Sequence, residues 1–301
     1  MPRLSLIIAT YNRSAWLLRA LESVVTQTAP RDEWECIVVD NNSTDDTAAR
    51  FAEFAASHAS FQLRLVHESR QGLSHARNCG IEHSRGEYIA IIDDDECICP
   101  DFISAYTDLF DRHPEAGSAG GRIIARYPAG RPAWMSRWTE QAIANPIDLG
   151  DKIREFPAGR IPGGGNMALR RATIERCGLF DTSLGRSGAS LTGGEESDLF
   201  ARLARMGVKC LYVPRAVMYH IIPPEKLTDD YFDRLYRGVG ATQRLRAEAE
   251  RRVARAFTLE IFKWIATAAI AACYAATLKL SRAAYVVRMR RRISQGLFSK
   301  K

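Results

Sequence analysis

Over the first 125 residues short apolar runs alternate with amphipathic stretches, and this alternation restricts the fold more than any other feature of the chain. The runs Leu4–Ala9, Cys36–Val39, Leu63–Val66 and Tyr88–Ile92 read as short buried strands. Residues 14–26, 44–57, 73–84 and 101–113 carry apolar side chains at helical spacing. Strand and helix in alternation imply an α/β fold: a mostly parallel sheet flanked by helices, joined by right-handed crossovers. Ligands of such sheets sit in the crevice outside the C-terminal ends of the strands. Polar residues stand there. Thr10, Tyr11 and Asn12 follow the first strand, Asp40-Asn41-Asn42-Ser43 the second, and Asp93-Asp94-Asp95-Glu96 the fourth.

The alternation breaks over 126–162, a Pro- and Trp-containing stretch that reads as a long functional loop or a small subdomain. Within it Trp134 and Trp138 lie four apart, and either stack on a sugar or lipid or form a packed face. Regularity returns with a strand at Asn166–Leu169, a helix at Glu195–Met206, a strand at Cys210–Val213 and a helix over Thr228–Arg252. The 301 residues suit two domains or one large α/β unit with an appendage. We divide them at 240: a main α/β domain over 1–240 and a helical, membrane-associating segment over 241–301.

With 46% hydrophobic and 26% charged residues, the composition excludes a disordered chain. The net charge of +7 is unevenly placed. After Glu260 there are nine basic residues and no acidic one, whereas residues 1–260 hold 33 basic against 35 acidic side chains. Nucleic acid is therefore not the expected partner of the body, and the tail lacks a folded nucleic-acid motif. The run Trp264–Leu278 holds fifteen residues without a charge, short of the roughly twenty that cross a bilayer. Its continuation, SRAAYVVRMRRRISQGLFSKK, mixes apolar and basic side chains in a composition suited to an anionic membrane surface. The alternative is a helix packed on its own domain or in a homo-oligomer. The N-terminal apolar run is too short for a secretory signal. The expected location is cytoplasmic, peripheral on the inner face of the cell membrane. Seven scattered cysteines read as reduced thiols, and Cys97 and Cys99 have no second pair with zinc-ligand spacing.

Adjacent carboxylates directly after a strand repel one another and call for a cation. Hard Mg2+ or Mn2+ meets that need: it takes one or two carboxylates and completes its shell with phosphate oxygens and water. A solvated turn with Asp93 as a helix cap is the plainer reading of an isolated acidic run, but its place on the ligand-bearing edge favours the metal. Asp40 at a strand end suits a ribose or a base N–H, and also suits an Asx turn leading into the next helix.

Five segments in order, LSLIIATYNRSAWLLRALESVVTQT, CIVVDNNSTDDT, QGLSHARNCGIEHSRGEYIAIIDDDE, GGGNMALRR and GGEESDLFARL, resemble the family 2 glycosyltransferases, whose fold is the GT-A, Rossmann-like one. The resemblance covers about 3–240. It implies that Thr10 and Asp40 hold the base and ribose of a nucleotide, and that Arg77 lies near base and phosphates. Asp93 and Asp95 match the outer residues of the family's Asp-x-Asp, the first towards the ribose and the second on the metal. Asp94 and Glu96 are surplus acids that leave the ligand set open. His220 matches a histidine sometimes found near metal or phosphates. The segment around Gly164 lies, by resemblance, beside the donor sugar.

In GGEESDLFARL, Glu196 takes the place of the aspartate that usually acts as general base, with Asp198 and Glu195 as competitors. The implied activity is inverting transfer of a sugar from a nucleotide-diphospho-sugar to a sugar or lipid-linked glycan acceptor, with Mg2+ or Mn2+, in cell-surface polysaccharide or glycolipid synthesis. A catalytically silent nucleotide-sugar sensor or scaffold is the alternative, because the base position holds Glu. A nucleotidyltransferase would need a Gly-rich triphosphate loop, which LIIATYNRS lacks.

Overall fold

The computed structural model describes residues 1–186, 193–249 and 251–299; Lys300 and Lys301 of the basic tail lie outside them. The first part of the chain alternates β1 (Leu4–Thr10), α1 (Ser14–Val24), β2 (Trp34–Asp40), α2 (Thr47–Ser57), β3 (Leu63–His67), α3 (Leu73–His83) and β4 (Tyr88–Asp93). Then come β5 (Glu96–Ile98), α4 (Phe102–Arg112), β6 (Ala116–Arg126), α5 (Arg137–Ala144), β7 (Arg154–Glu155), β8 (Met167–Arg170), α6 (Arg171–Cys177), α7 (Glu195–Arg205) and β9 (Lys209–Ile221). Helices α8 (Asp229–Ala249), α9 (Val253–Ala276) and α10 (Leu280–Phe298) follow.

The strands form one sheet in the order β3-β2-β1-β4-β8-β6-β9-β5, with β7 on β9. Its centre, β3-β2-β1-β4, is parallel, as the alternation predicts. Every residue of β1 and β2 is buried, because helices cover both faces of the sheet. Successive side chains enter opposite cores: Leu4, Leu6 and Ile8 meet Leu17 and Leu21 of α1 and Phe102 of α4. Ile7 and Ala9 face Ala76 of α3 and Leu199 and Leu203 of α7.

Beyond β4 the sheet turns antiparallel through β8, and β5 pairs antiparallel with β9. Strand β6, with the sequence AGSAGGRIIAR, shows no period-2 alternation, and its glycines have a packing reason. A Cβ on Gly121 would collide with the Ala216 carbonyl oxygen, and one on Gly120 with the Pro162 ring.

The described residues cluster into two compact units. One comprises 1–125, 146–186 and 194–221 and holds the sheet; the other comprises 126–145, 193, 222–249 and 251–299 and holds α5, α8, α9 and α10. The stretch 126–162 is thus divided between them. Helix α5 begins only after Ser136, which caps it reciprocally with Thr139, so the two tryptophans share no helix face. Trp134 stacks on Tyr285 at 4.5 Å and meets Phe232 edge-on at 5.4 Å. Trp138 stays exposed under the Arg137 guanidinium.

In the second unit α8 and α10 cross where Gly240 meets Gly296. A Cβ on either would collide with a backbone oxygen of the other helix, Ile293 or Arg237. Arg288 pairs with Asp229 and Asp233 at 2.8 Å, and Arg292 with Asp233. Part of the tail's positive charge is therefore neutralised inside its own unit.

Candidate functional site

The parallel register sets Thr10 beside Asp40 and Ala9 beside Asp93, so three strands end on one edge. There the Thr10 hydroxyl donates to Asp94 Oδ2 at 2.8 Å. Arg13 bridges Asp94 at 2.6 Å and Asp95 at 3.2 Å. Asp40 is buried and accepts from the Ser43 amide at 2.9 Å, the Asx-type bond its sequence suggested. Asn12 sits at φ 52 and its side-chain oxygen takes the Thr44 amide at 2.7 Å, so it staples two loops together. Tyr11 is exposed.

The acidic run is split by the direction of its side chains. Asp93 is part-exposed and turns to Arg77, while Asp94, Asp95 and Glu96 are buried. The Asp93 amide donates to Glu96 Oε2 at 2.7 Å. Burial pushes the Asp94 carboxyl up to about 7, against the pull of Arg13 and with the repulsion of Asp95. Burial and the charges of Asp93 and Asp95 push Glu96 well above the usual carboxylate range.

Antiparallel pairing of β5 with β9 puts Glu96 directly across from His220. Ligand atoms of Asp95, Glu96 and His220 all lie within 4.8 Å of one another, with His220 Nε2 3.8 Å from Asp95 Oδ1. Two carboxylates and an imidazole at this spacing are a donor set that fits a divalent cation. Among the described residues this grouping takes in Glu96, one of the acids that the sequence left open as a ligand, and not Asp93, which the Asp-x-Asp match also offered.

A second cluster forms around Arg77 of α3. Its guanidinium is wholly buried and donates to Asp93 at 3.1 Å, Glu195 at 3.2 Å and Glu196 at 3.0 Å. Burial alone would lower its pKa, but Asp93, Glu196 and Glu195 outweigh burial and hold it above its ordinary value. Glu195 and Glu196 open α7 directly after Gly194, which has φ 124. Glu195 is buried and Glu196 part-exposed. Burial first, then the charge of Glu196, pushes Glu195 up to about 7 against Arg77. Asp198 is not brought here: it pairs with Arg202 at 2.9 Å, which binds the carbonyls after α6.

The Gly-rich segment before β8 joins the two clusters. A Cβ on Gly164 would collide with Glu196 Oε1, and one on Gly165 with the Glu96 carboxylate. Only glycine lets this backbone lie against both acids. Asn166 anchors it, fully buried, donating to the Arg122 and Ala216 carbonyls at 3.0 Å and accepting from Tyr106 at 2.6 Å. Two site residues carried no individual sequence signal, Arg13 and Asn166; only their places next to Thr10-Tyr11-Asn12 and the glycines pointed to them.

A family model described as glycosyl transferase family 2 matches residues 5–178, more than half of the chain. The chain belongs to glycosyl transferase family 2. This family 2 member is 27% identical over 224 residues to the succinoglycan biosynthesis protein ExoM of Rhizobium meliloti, covering 73% of this chain and 67% of that one. It is 25% identical over 230 residues to the glucosyl-dolichyl phosphate glucuronosyltransferase of Haloferax volcanii, covering 72% and 69%. Its fold is that of GT-A glycosyltransferases. The mannosyltransferase PcManGT from Pyrobaculum calidifontis, solved with GDP-Man and Mn2+, matches with a TM-score of 0.63 at 22% identity, over 100% of this chain and 88% of that one. TarS 1-349 of S. aureus, in complex with UDP-GlcNAc, matches with 0.57 at 17% identity, over 81% and 66%.

Proposed function

We propose that this glycosyltransferase moves a sugar from a nucleotide-diphospho-sugar to an acceptor hydroxyl with inversion, using a divalent cation, in the synthesis of a cell-surface polysaccharide or glycolipid. The observation that carries it is the pair of clusters, Asp95-Glu96-His220 and Arg77-Glu195-Glu196, joined by Gly164 and Gly165 at the C-terminal edge of a parallel sheet. Relatives and neighbours named for succinoglycan synthesis, GDP-Man with Mn2+ and UDP-GlcNAc support the donor class, the cation and the setting.

Asp95, Glu96 and His220 would hold Mg2+ or Mn2+, with Asp93 towards the ribose. When bound, the cation supplies Lewis-acid stabilisation of the departing diphosphate. Thr10 and Asp40 stand where base and ribose would lie. Glu196, more exposed than Glu195 and on the first turn of α7, is placed to take the acceptor proton. Arg77 holds Glu196 and Asp93 in position and offsets their mutual repulsion. Among the described residues Asp93 and Glu195 are held by Arg77 while Asp95 and Glu96 belong to the cation cluster, so a single displacement is the economical scheme.

The test is Glu196→Gln. Transfer falls about 10²–10⁴-fold while donor affinity, read by calorimetry with Mn2+, stays within about threefold. Turnover close to wild type removes Glu196 as the base. A wild-type chain that binds donor and neither transfers nor hydrolyses it is the silent sensor instead.

A further inference from the structure

Helix α9 is built inside out. Glu260 and Thr267 are its buried residues, and their face turns to α10. Glu260, 1% exposed, accepts from the Ser294 hydroxyl at 2.8 Å and pairs with Arg290 at 3.3 Å and Lys263 at 3.6 Å. Trp264 donates to the same Ser294 at 2.9 Å, and Arg290 reaches Thr267. The opposite face is apolar and open. Ile261, Phe262 and Ile265 are 62–63% exposed, Leu259 lies beside them, and the alanines at 266, 268, 269, 272 and 276 continue the strip. In a soluble helix these two faces would be exchanged.

We propose that α9 lies in the plane of an anionic membrane surface, with this apolar face immersed among the acyl chains and its basic ends among the headgroups. The helix is long and apolar enough to cross a bilayer. Crossing would nevertheless carry Glu260 and the Lys263 and Arg290 that pair with it into hydrocarbon, or strip them of their partners. Helix α10 cannot follow α9 across, since it presents Arg282, Arg288, Arg290, Arg291 and Arg292 and is locked to α8 at Gly240 and Gly296. An in-plane helix meets both demands: polar side against α10, apolar side in lipid.

Charge selects the occupant. Exposed Arg251, Arg252 and Arg255 mark one end of the strip and Lys279 the other, and Glu260 is the one acidic residue from 251 to 299. A second copy packed antiparallel on this face would set arginines against lysine. Anionic headgroups, which the cytoplasmic leaflet supplies, complement both ends.

The full chain is tested by flotation with vesicles of phosphatidylcholine alone or mixed equally with phosphatidylglycerol. It floats with the anionic vesicles at low salt and leaves them on alkaline carbonate extraction. Phe262→Gln with Ile265→Gln, both on the open face, lowers the partition coefficient at least about tenfold with an unchanged thermal unfolding curve. Absence of flotation, equal flotation of the double variant, or retention through carbonate, which marks a spanning helix, overturns the proposal. So does a wild-type oligomer that the double variant dissolves without loss of vesicle binding.

Discussion

A buried guanidinium persists only where carboxylates replace its hydration, and Arg77 has three: Asp93, Glu195 and Glu196. Even so, three acids around one cation leave an excess of negative charge, and Glu195 bears it as a pKa pushed up to about 7 by burial and by Glu196. A carboxyl raised from 4.5 keeps its proton in the folded chain where the unfolded chain has lost it. Its stabilising effect is therefore full at low pH and is lost as pH rises through about 7. Glu195→Gln has no such dependence. Relative to wild type it gains roughly 1–3 kcal/mol of stability between about pH 5 and about pH 8, read by urea unfolding at both. A difference that does not change with pH shows that Glu195 is ionised throughout.

At the scale of elements, glycines decide contacts that the hydrophobic pattern does not announce. Gly164 and Gly165 bring a loop against Glu196 and Glu96, and Gly240 with Gly296 sets the crossing of α8 on α10. For Gly240→Ala two effects compete. Alanine favours a helix interior by about 1 kcal/mol over glycine. The added Cβ, however, meets the Ile293 carbonyl and the Leu297 amide, backbone atoms that yield only if α10 moves away. Overpacking of this kind costs about 1–3 kcal/mol or more, and here it also strains the Arg288 and Arg292 bridges. The urea midpoint of Gly240→Ala falls below wild type; an unchanged or higher midpoint means the helices have room at the crossing.

For the molecule as a whole the charge of +7 is a sum of opposites. The unit with the sheet gathers buried carboxylates that repel one another, so the proposed cation would link its binding to folding. Saturating Mn2+ should stabilise the chain by RT ln(1 + [L]/Kd), about 3 kcal/mol at a hundredfold excess over Kd. The expected result is an unfolding temperature several degrees higher with Mn2+, reversed by chelator and absent in Asp95→Asn. An equal rise in Asp95→Asn places the cation elsewhere.

Much of this was legible in the order of residues. The parallel strands ending at Thr10, Asp40 and Asp93, and the helices between them, follow from hydrophobic period, which is local. Arg77, Asp95 and Glu196 are singled out by the resemblance of five ordered segments to the family 2 glycosyltransferases, not by hydrophobic period. Three things waited for the tertiary structure. Strand β6 lacked a pattern because its glycines exist for neighbours distant in sequence. Glu96 and His220 met only through antiparallel pairing across 124 residues. The open face of α9 became visible only when α10 covered the polar one. Sequence determines what a segment can form; which face is covered, and which charges meet, depends on contacts between segments far apart in the chain.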